Sequence, residues 1–117
     1  MNIHVNSDHT IVMDAGLRQF IEQEGGRLLG RFSKRLTRIV VYLSDVDNKK
    51  NGQADKRCLV EARPAGAHPL TVTAKAANIP HAVDEALRKM RRSLTTFHGR
   101  RRTPGGSVSL TGRKRSA

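Results

Sequence analysis

The sequence predicts an α+β fold: a two-layer sandwich in the order β-α-β-β-β-α, whose four-stranded sheet carries both helices on one face. Three observations predict it. Three runs between residues 38 and 76 alternate apolar and polar side chains across short connections, the pattern of an antiparallel meander. Two longer segments repeat apolar residues at three- and four-residue steps, which is one face of a helix. A short alternating run precedes the first of these, so that strand, helix and second strand form a crossover unit. Each strand has one apolar face to hide, and two amphipathic helices are there to hide it.

In order, Met1 to Asn6 sets Ile3 and Val5 against Asn2, His4 and Asn6, a half-buried strand. A helix is expected from Asp14 to Phe32, capped by Asp14 or Thr10 and striped by Leu17, Phe20, Ile21, Leu28 and Phe32. Arg18, Arg27, Arg31 and Lys34 lie off the centre of that stripe. Gly25-Gly26 falls inside it. It marks either close packing against a neighbour or a break into two helices, and each glycine costs about 1 kcal/mol relative to alanine. The surrounding EQEGGRLLGR lacks the strand context and Lys-Ser/Thr of a phosphate-binding loop.

Arg38 to Asp45 reads as a strand with Ile39, Val41 and Leu43 inward and Arg38, Val40, Tyr42 and Ser44 outward. The polar loop VDNKKNGQA follows, with Asn51-Gly52 as its turn signal. Asp55 to Arg63 places Cys58, Val60 and Ala62 inward and Arg57, Leu59, Glu61 and Arg63 outward. Pro64 to Pro69 makes a short hairpin connection, and Leu70 to Ala76 is the last strand. Asn78 to Arg102 reads as a helix, with Asn78 as cap, Pro80 in the first turn, and Val83, Ala86, Leu87, Met90, Leu94 and Phe97 on one face. Arg88, Lys89 and Arg92 fall opposite. Asp84 and Glu85 come early and the cations late, the order a helix dipole favours.

The 117 residues suit one domain, 1–102, followed by a basic tail, 103–117, rich in Gly, Ser, Thr and Arg and expected to be disordered. Charge is unevenly spread. Residues 1–85 carry twelve Lys and Arg against ten Asp and Glu, whereas residues 86–117 carry ten Lys and Arg and no acid. With a pI near 11.3, the implied partner is a polyanion, nucleic acid before an anionic membrane. Three Phe, one Tyr and no Trp argue against a platform of several stacking aromatics.

No apolar run approaches the ~18 residues of a membrane span, and the opening MNIHVNS lacks a signal pattern, so the expected location is cytoplasmic. Cys58, the single cysteine, is expected as a buried core residue. His4 and His9 lack the further ligands a metal needs, and Asp45, Asp47 and Asp55 read as strand-end and turn acids. No metal, cofactor or small-molecule substrate is expected, and no catalytic arrangement is evident.

Several stretches carry a resemblance. MNIHVNS, LRQFIEQEGGRLLGRF, RIVVYLS and IPHAVDEALRKMRRSLTTFHGR resemble the first strand, first helix, second strand and second helix of the short-form ribosome hibernation-promoting factor and ribosome-associated inhibitor family. The similarity covers about Met1 to Arg102. It implies a non-enzymatic protein that binds the small ribosomal subunit and its rRNA in the channel for mRNA and tRNA, blocks translation by occupancy and preserves idle ribosomes. The expected state off the ribosome is a monomer. Pairing of ribosomes through the long form's C-terminal dimerisation domain is not expected.

By position, Lys89 and Arg92 fall on the family's second-helix cations, His98 and Arg100 on the basic positions that follow, and Arg27 on a first-helix basic position. Arg31, Arg88 and Arg101 complete the expected rRNA-binding set, although Arg88 stands where the family commonly has Asp. Glu24 and Thr96 stand where the family often has Lys. The alternative is a general double-stranded-RNA-binding module, whose α-β-β-β-α order lacks the leading strand read here. An RNA-acting enzyme and a protein-only regulator of a sigma factor fit the basic surface less well.

Overall fold

The computed structural model describes residues 2–8, 11–48 and 53–102, with 46–48, 53–55 and 100–102 as backbone only. The elements are β1 (Ile3–Ser7), α1 (Ala15–Leu29), a 3-10 segment (Gly30–Arg35), β2 (Leu36–Asn48), β3 (Gln53–Pro64), β4 (Leu70–Ala76) and α2 (Ile79–Arg102). The four strands lie in the order β1-β2-β3-β4. β1 runs parallel to β2, with Val5 opposite Val41, and β2, β3 and β4 are antiparallel in turn. This is the β-α-β-β-β-α sandwich expected from the sequence.

Period-two alternation puts Ile39, Val41, Leu43, Cys58, Val60, Ala62 and Ala74 on one face, all buried under the two helices. α1 contributes Ile21, Leu28 and Leu29, the 3-10 segment Phe32, and α2 Ala82, Val83, Ala86, Leu87, Met90 and Leu94. Burial pushes the Cys58 thiol up to about 12, so it stays protonated and inert inside the core.

Both helix starts are capped as their sequences suggest. The Leu17 N–H donates to Asp14 Oδ1 at 2.7 Å, and the His81 N–H donates to Asn78 Oδ1 at 2.9 Å. α1 is continuous through Gly25-Gly26. Gly25 is buried against β1: a Cβ there would come within 2.3 Å of Ile3 Cδ1, whereas one on Gly26 would meet nothing within 4 Å. Only the first glycine sits where a side chain would press on a neighbour.

Three features differ from the sequence reading. The last turn before β2 is 3-10 and extends to Arg35, beyond the expected helix end at Phe32. Its i→i+3 bonds turn the chain tightly into the sheet. β2 and β3 also pair beyond the expected strand ends, to Asn48 opposite Gln53, so their ladder continues past β1 and β4 into residues assigned to the loop. Backbone pairing carries that extension. Finally, Asp84 and Glu85 lie beyond the first turn of α2, which holds no acid. The dipole field fades within one turn, and Asp84 answers to nearby cations instead. Asn51-Gly52, His9 and the tail 103–117 lie outside the described residues.

Candidate nucleic-acid interface

The helix layer faces away from the sheet and gathers the cations of α1, the 3-10 segment and α2. The burial of 83, 87, 90 and 94 fixes the rotation of α2. Positions 84, 88, 91 and 95 then flank that stripe on the side of α1, position 89 falls on the side of β4, and position 92 stands at the crest.

Contacts confirm the flank toward α1. The Arg27 guanidinium grips Glu24 through Nε and Nη2 at 2.9 and 3.1 Å, and its Nη2 lies 3.8 Å from Asp84 Oδ1 on α2. Arg88 Nε donates to Asp84 Oδ2 at 2.9 Å. Asp84 therefore serves two cations on two helices. The Arg88 hydrogen bond holds its carboxyl below the usual carboxylate range, with smaller contributions from Glu24 and Arg27 and with partial burial working against them. Glu24, hydrogen-bonded to Arg27, in turn raises the pKa of that guanidinium.

Further along, Arg31 Nη2 donates to Thr95 Oγ1 at 3.0 Å and its guanidinium sits 4.7 Å from the centroid of Phe32. The His98 ring stacks on Phe32 at 5.4 Å and meets Phe97 edge-on at 5.2 Å. This seats the C-terminal part of α2 on the 3-10 segment. His98 is half-buried.

The eight expected binding residues thus separate. Arg27 and Arg88 meet at Asp84 between α1 and α2, and Arg31 of the 3-10 segment reaches Thr95 further along α2, so each has a protein partner already. Arg92 is exposed at the crest and its side chain makes no hydrogen bond or ion pair among the described residues. Lys89 leans the other way, donating from Nζ to the Thr73 carbonyl of β4 at 2.8 Å. It lies outside the groove shared by α1 and α2. His98, on α2, packs against Phe32 and Phe97. Arg100 and Arg101 continue α2, and their side chains lie outside the described residues.

Other cations complete the surface. Arg18, Lys34, Arg35 and Arg91 make no side-chain hydrogen bond or ion pair among the described residues. Helical spacing alone places Arg91 there, since positions 84, 88, 91 and 95 run parallel to the buried stripe. Such a surface of fixed guanidinium and ammonium groups suits phosphate backbones. Among the described residues no group of three His, Cys, Asp or Glu is placed to hold a metal ion, and no helix is long and apolar enough to cross a membrane.

A family model described as sigma 54 modulation protein / S30EA ribosomal protein matches residues 3–102. A ribosomal subunit interface protein from Coxiella burnetii is similar in structure, with a TM-score of 0.69 at 16% identity, covering 85% of this chain and 99% of that one. The N-terminal domain of Thermus thermophilus Protein Y gives a TM-score of 0.63 at 18% identity, over 83% of this chain and 99% of that one. At such identities the likeness is one of fold. The comparison with curated proteins yields no match.

Proposed function

The chain belongs to the sigma 54 modulation protein / S30EA ribosomal protein family, and from that premise we propose that it is a non-enzymatic rRNA-binding factor of the small ribosomal subunit. It occupies the mRNA and tRNA channel, inhibits translation while bound, and preserves idle ribosomes in the cytoplasm. The observation that carries this reading is the helix layer, where Arg91 and Arg92 stand uncommitted beside the Arg27–Asp84–Arg88 groove. Lys and Arg that neutralise phosphates release condensed counterions, so affinity is electrostatic and falls steeply with salt. Shape supplies the rest: folded RNA is recognised largely by its contour and backbone. Arg27, Arg31, Arg88, Arg92, Arg100 and Arg101 are the proposed rRNA contacts, with Arg91 added; Lys89 would contribute from the β4 side, and His98 by seating the end of α2.

The resemblance of the Coxiella burnetii protein, described as a ribosomal subunit interface protein, supports the same target. The test is sedimentation with purified small subunits across a salt series. Co-sedimentation at moderate salt and release at high salt are expected. Equal or tighter binding to free duplex RNA would instead make the chain a general double-stranded-RNA module.

A further inference from the structure

We propose that the open face of the sheet is a second binding surface, which takes an unpaired RNA strand. It is separate from the helix layer and goes beyond the reading above. The helices cover one face of the sheet, and among the described residues no element covers the other. In register across that bare face, Arg38 of β2 stands directly opposite Arg63 of β3, and Arg57 of β3 directly opposite Lys75 of β4. All four are exposed, and none makes a side-chain hydrogen bond or ion pair among the described residues.

Like charges directly opposite on one face of a sheet destabilise it. Two such pairs, with Glu61 the one acid on that face among the residues whose side chains are described, are hard to account for by stability. An anion laid over them removes the repulsion. The pairs sit at the two ends of the face. Arg57 and Arg63 are six residues apart on β3, roughly 20 Å at about 3.4 Å per residue. That span fits a strand of several phosphates rather than a single one.

Between the pairs lie three apolar side chains and Glu61, which stands opposite Val40. Tyr42 is 42% exposed and pairs across with the half-buried Leu59, while Val40 is buried among its neighbours although no helix covers it. A flat surface with one accessible aromatic ring, bracketed by cations, is the arrangement by which unpaired bases stack while their phosphates are neutralised. The rigid stacked edge of a duplex offers Tyr42 no free base, which selects the single strand.

The test uses the full chain with a short labelled poly-uridine across a salt series, beside a duplex RNA of equal length. The chain is expected to bind poly-uridine. Replacing Arg57→Ser and Lys75→Ser together should weaken binding about five-fold or more and reduce the salt slope by roughly 0.7 per cation removed. Tyr42→Ala should cost about five-fold, the loss of one stacked base. Arg92→Glu, on the helix side, should cost poly-uridine affinity clearly less than the paired sheet substitutions do, and should leave the Tyr42→Ala loss in place.

The double serine variant should melt no lower than the unaltered chain, since a repulsive pair is gone, so lost binding cannot be laid to unfolding. The inference is overturned if poly-uridine does not bind, if the sheet variants bind as well as the unaltered chain, if Arg92→Glu weakens binding more than the sheet substitutions do, or if poly-glutamate competes as well as RNA. Sedimentation of the same variants with small subunits reads the helix-side function separately.

Discussion

Asp84 of α2 lies 3.8 Å from the Arg27 guanidinium of α1, and this single carboxylate joins the two helices at the centre of the basic layer. The same side chain accepts the Arg88 hydrogen bond at 2.9 Å. It orders two cations and at the same time subtracts from the positive field they present.

Asp84→Asn should therefore tighten polyanion binding. One unit of opposing charge disappears, while the amide oxygen still accepts from Arg88. A few-fold rise in affinity for RNA at low salt, shrinking as salt screens the surface, is the expected result. Weaker binding would mean that ordering of Arg27 and Arg88 outweighs the field. Isothermal titration at two salt concentrations decides between them.

The same carboxylate sets a pH dependence. Its folded-state pKa is lowered chiefly by Arg88, so its contribution to stability is present above the unfolded pKa. That contribution is lost as pH falls below about 4 and through the lowered value. Thermal melts of the unaltered chain should drop over this acid window. Asp84→Asn should flatten that part of the profile and leave neutral pH little changed, because a partly exposed pair is well screened by solvent.

The adjacent glycines should respond oppositely. Gly26→Ala meets open space and should stabilise by about 0.5–1 kcal/mol through helix propensity. In Gly25→Ala the same gain is offset by the contact with Ile3 Cδ1, which must swing away from α1. It should be neutral or destabilising by about 1 kcal/mol, within the range for overpacking. Denaturant melts of the two variants, compared side by side, test this.

Lys89 and Arg92 should differ as binding residues. Arg92→Glu reverses an exposed charge with no partner among the described residues and should weaken small-subunit binding strongly, about ten-fold or more at moderate salt. Lys89→Glu should have the smaller effect on binding, because its ammonium is directed to the Thr73 carbonyl at the β4 edge. It should also lower stability by under about 1 kcal/mol, the scale of one exposed hydrogen bond. Sedimentation and melting of both variants provide the comparison.

Much of this protein was legible in its sequence. Ile39, Val41 and Leu43 alternate with Arg38, Val40 and Tyr42, and a period of two admits only one buried set. Val83, Ala86, Leu87, Met90 and Leu94 fix one face of α2 in the same way. Asp14 and Asn78 announced their caps because a short side-chain oxygen before a periodic run satisfies a free N–H. Element order, core and the basic excess after residue 85 all follow from such local rules.

The tertiary structure alone decided how the cations are used. Helical spacing puts Arg88 and Lys89 side by side, but α2 lies between α1 and β4, so one turns to Asp84 and Arg27 and the other to the sheet edge. Spacing likewise marks Gly25-Gly26 as a pair, whereas only the approach of β1 distinguishes them. Arg57 and Lys75 are eighteen positions apart in the chain and become neighbours through strand register alone. Side-chain period is a property of the chain, but charge pairing depends on which elements meet, and that is fixed by packing.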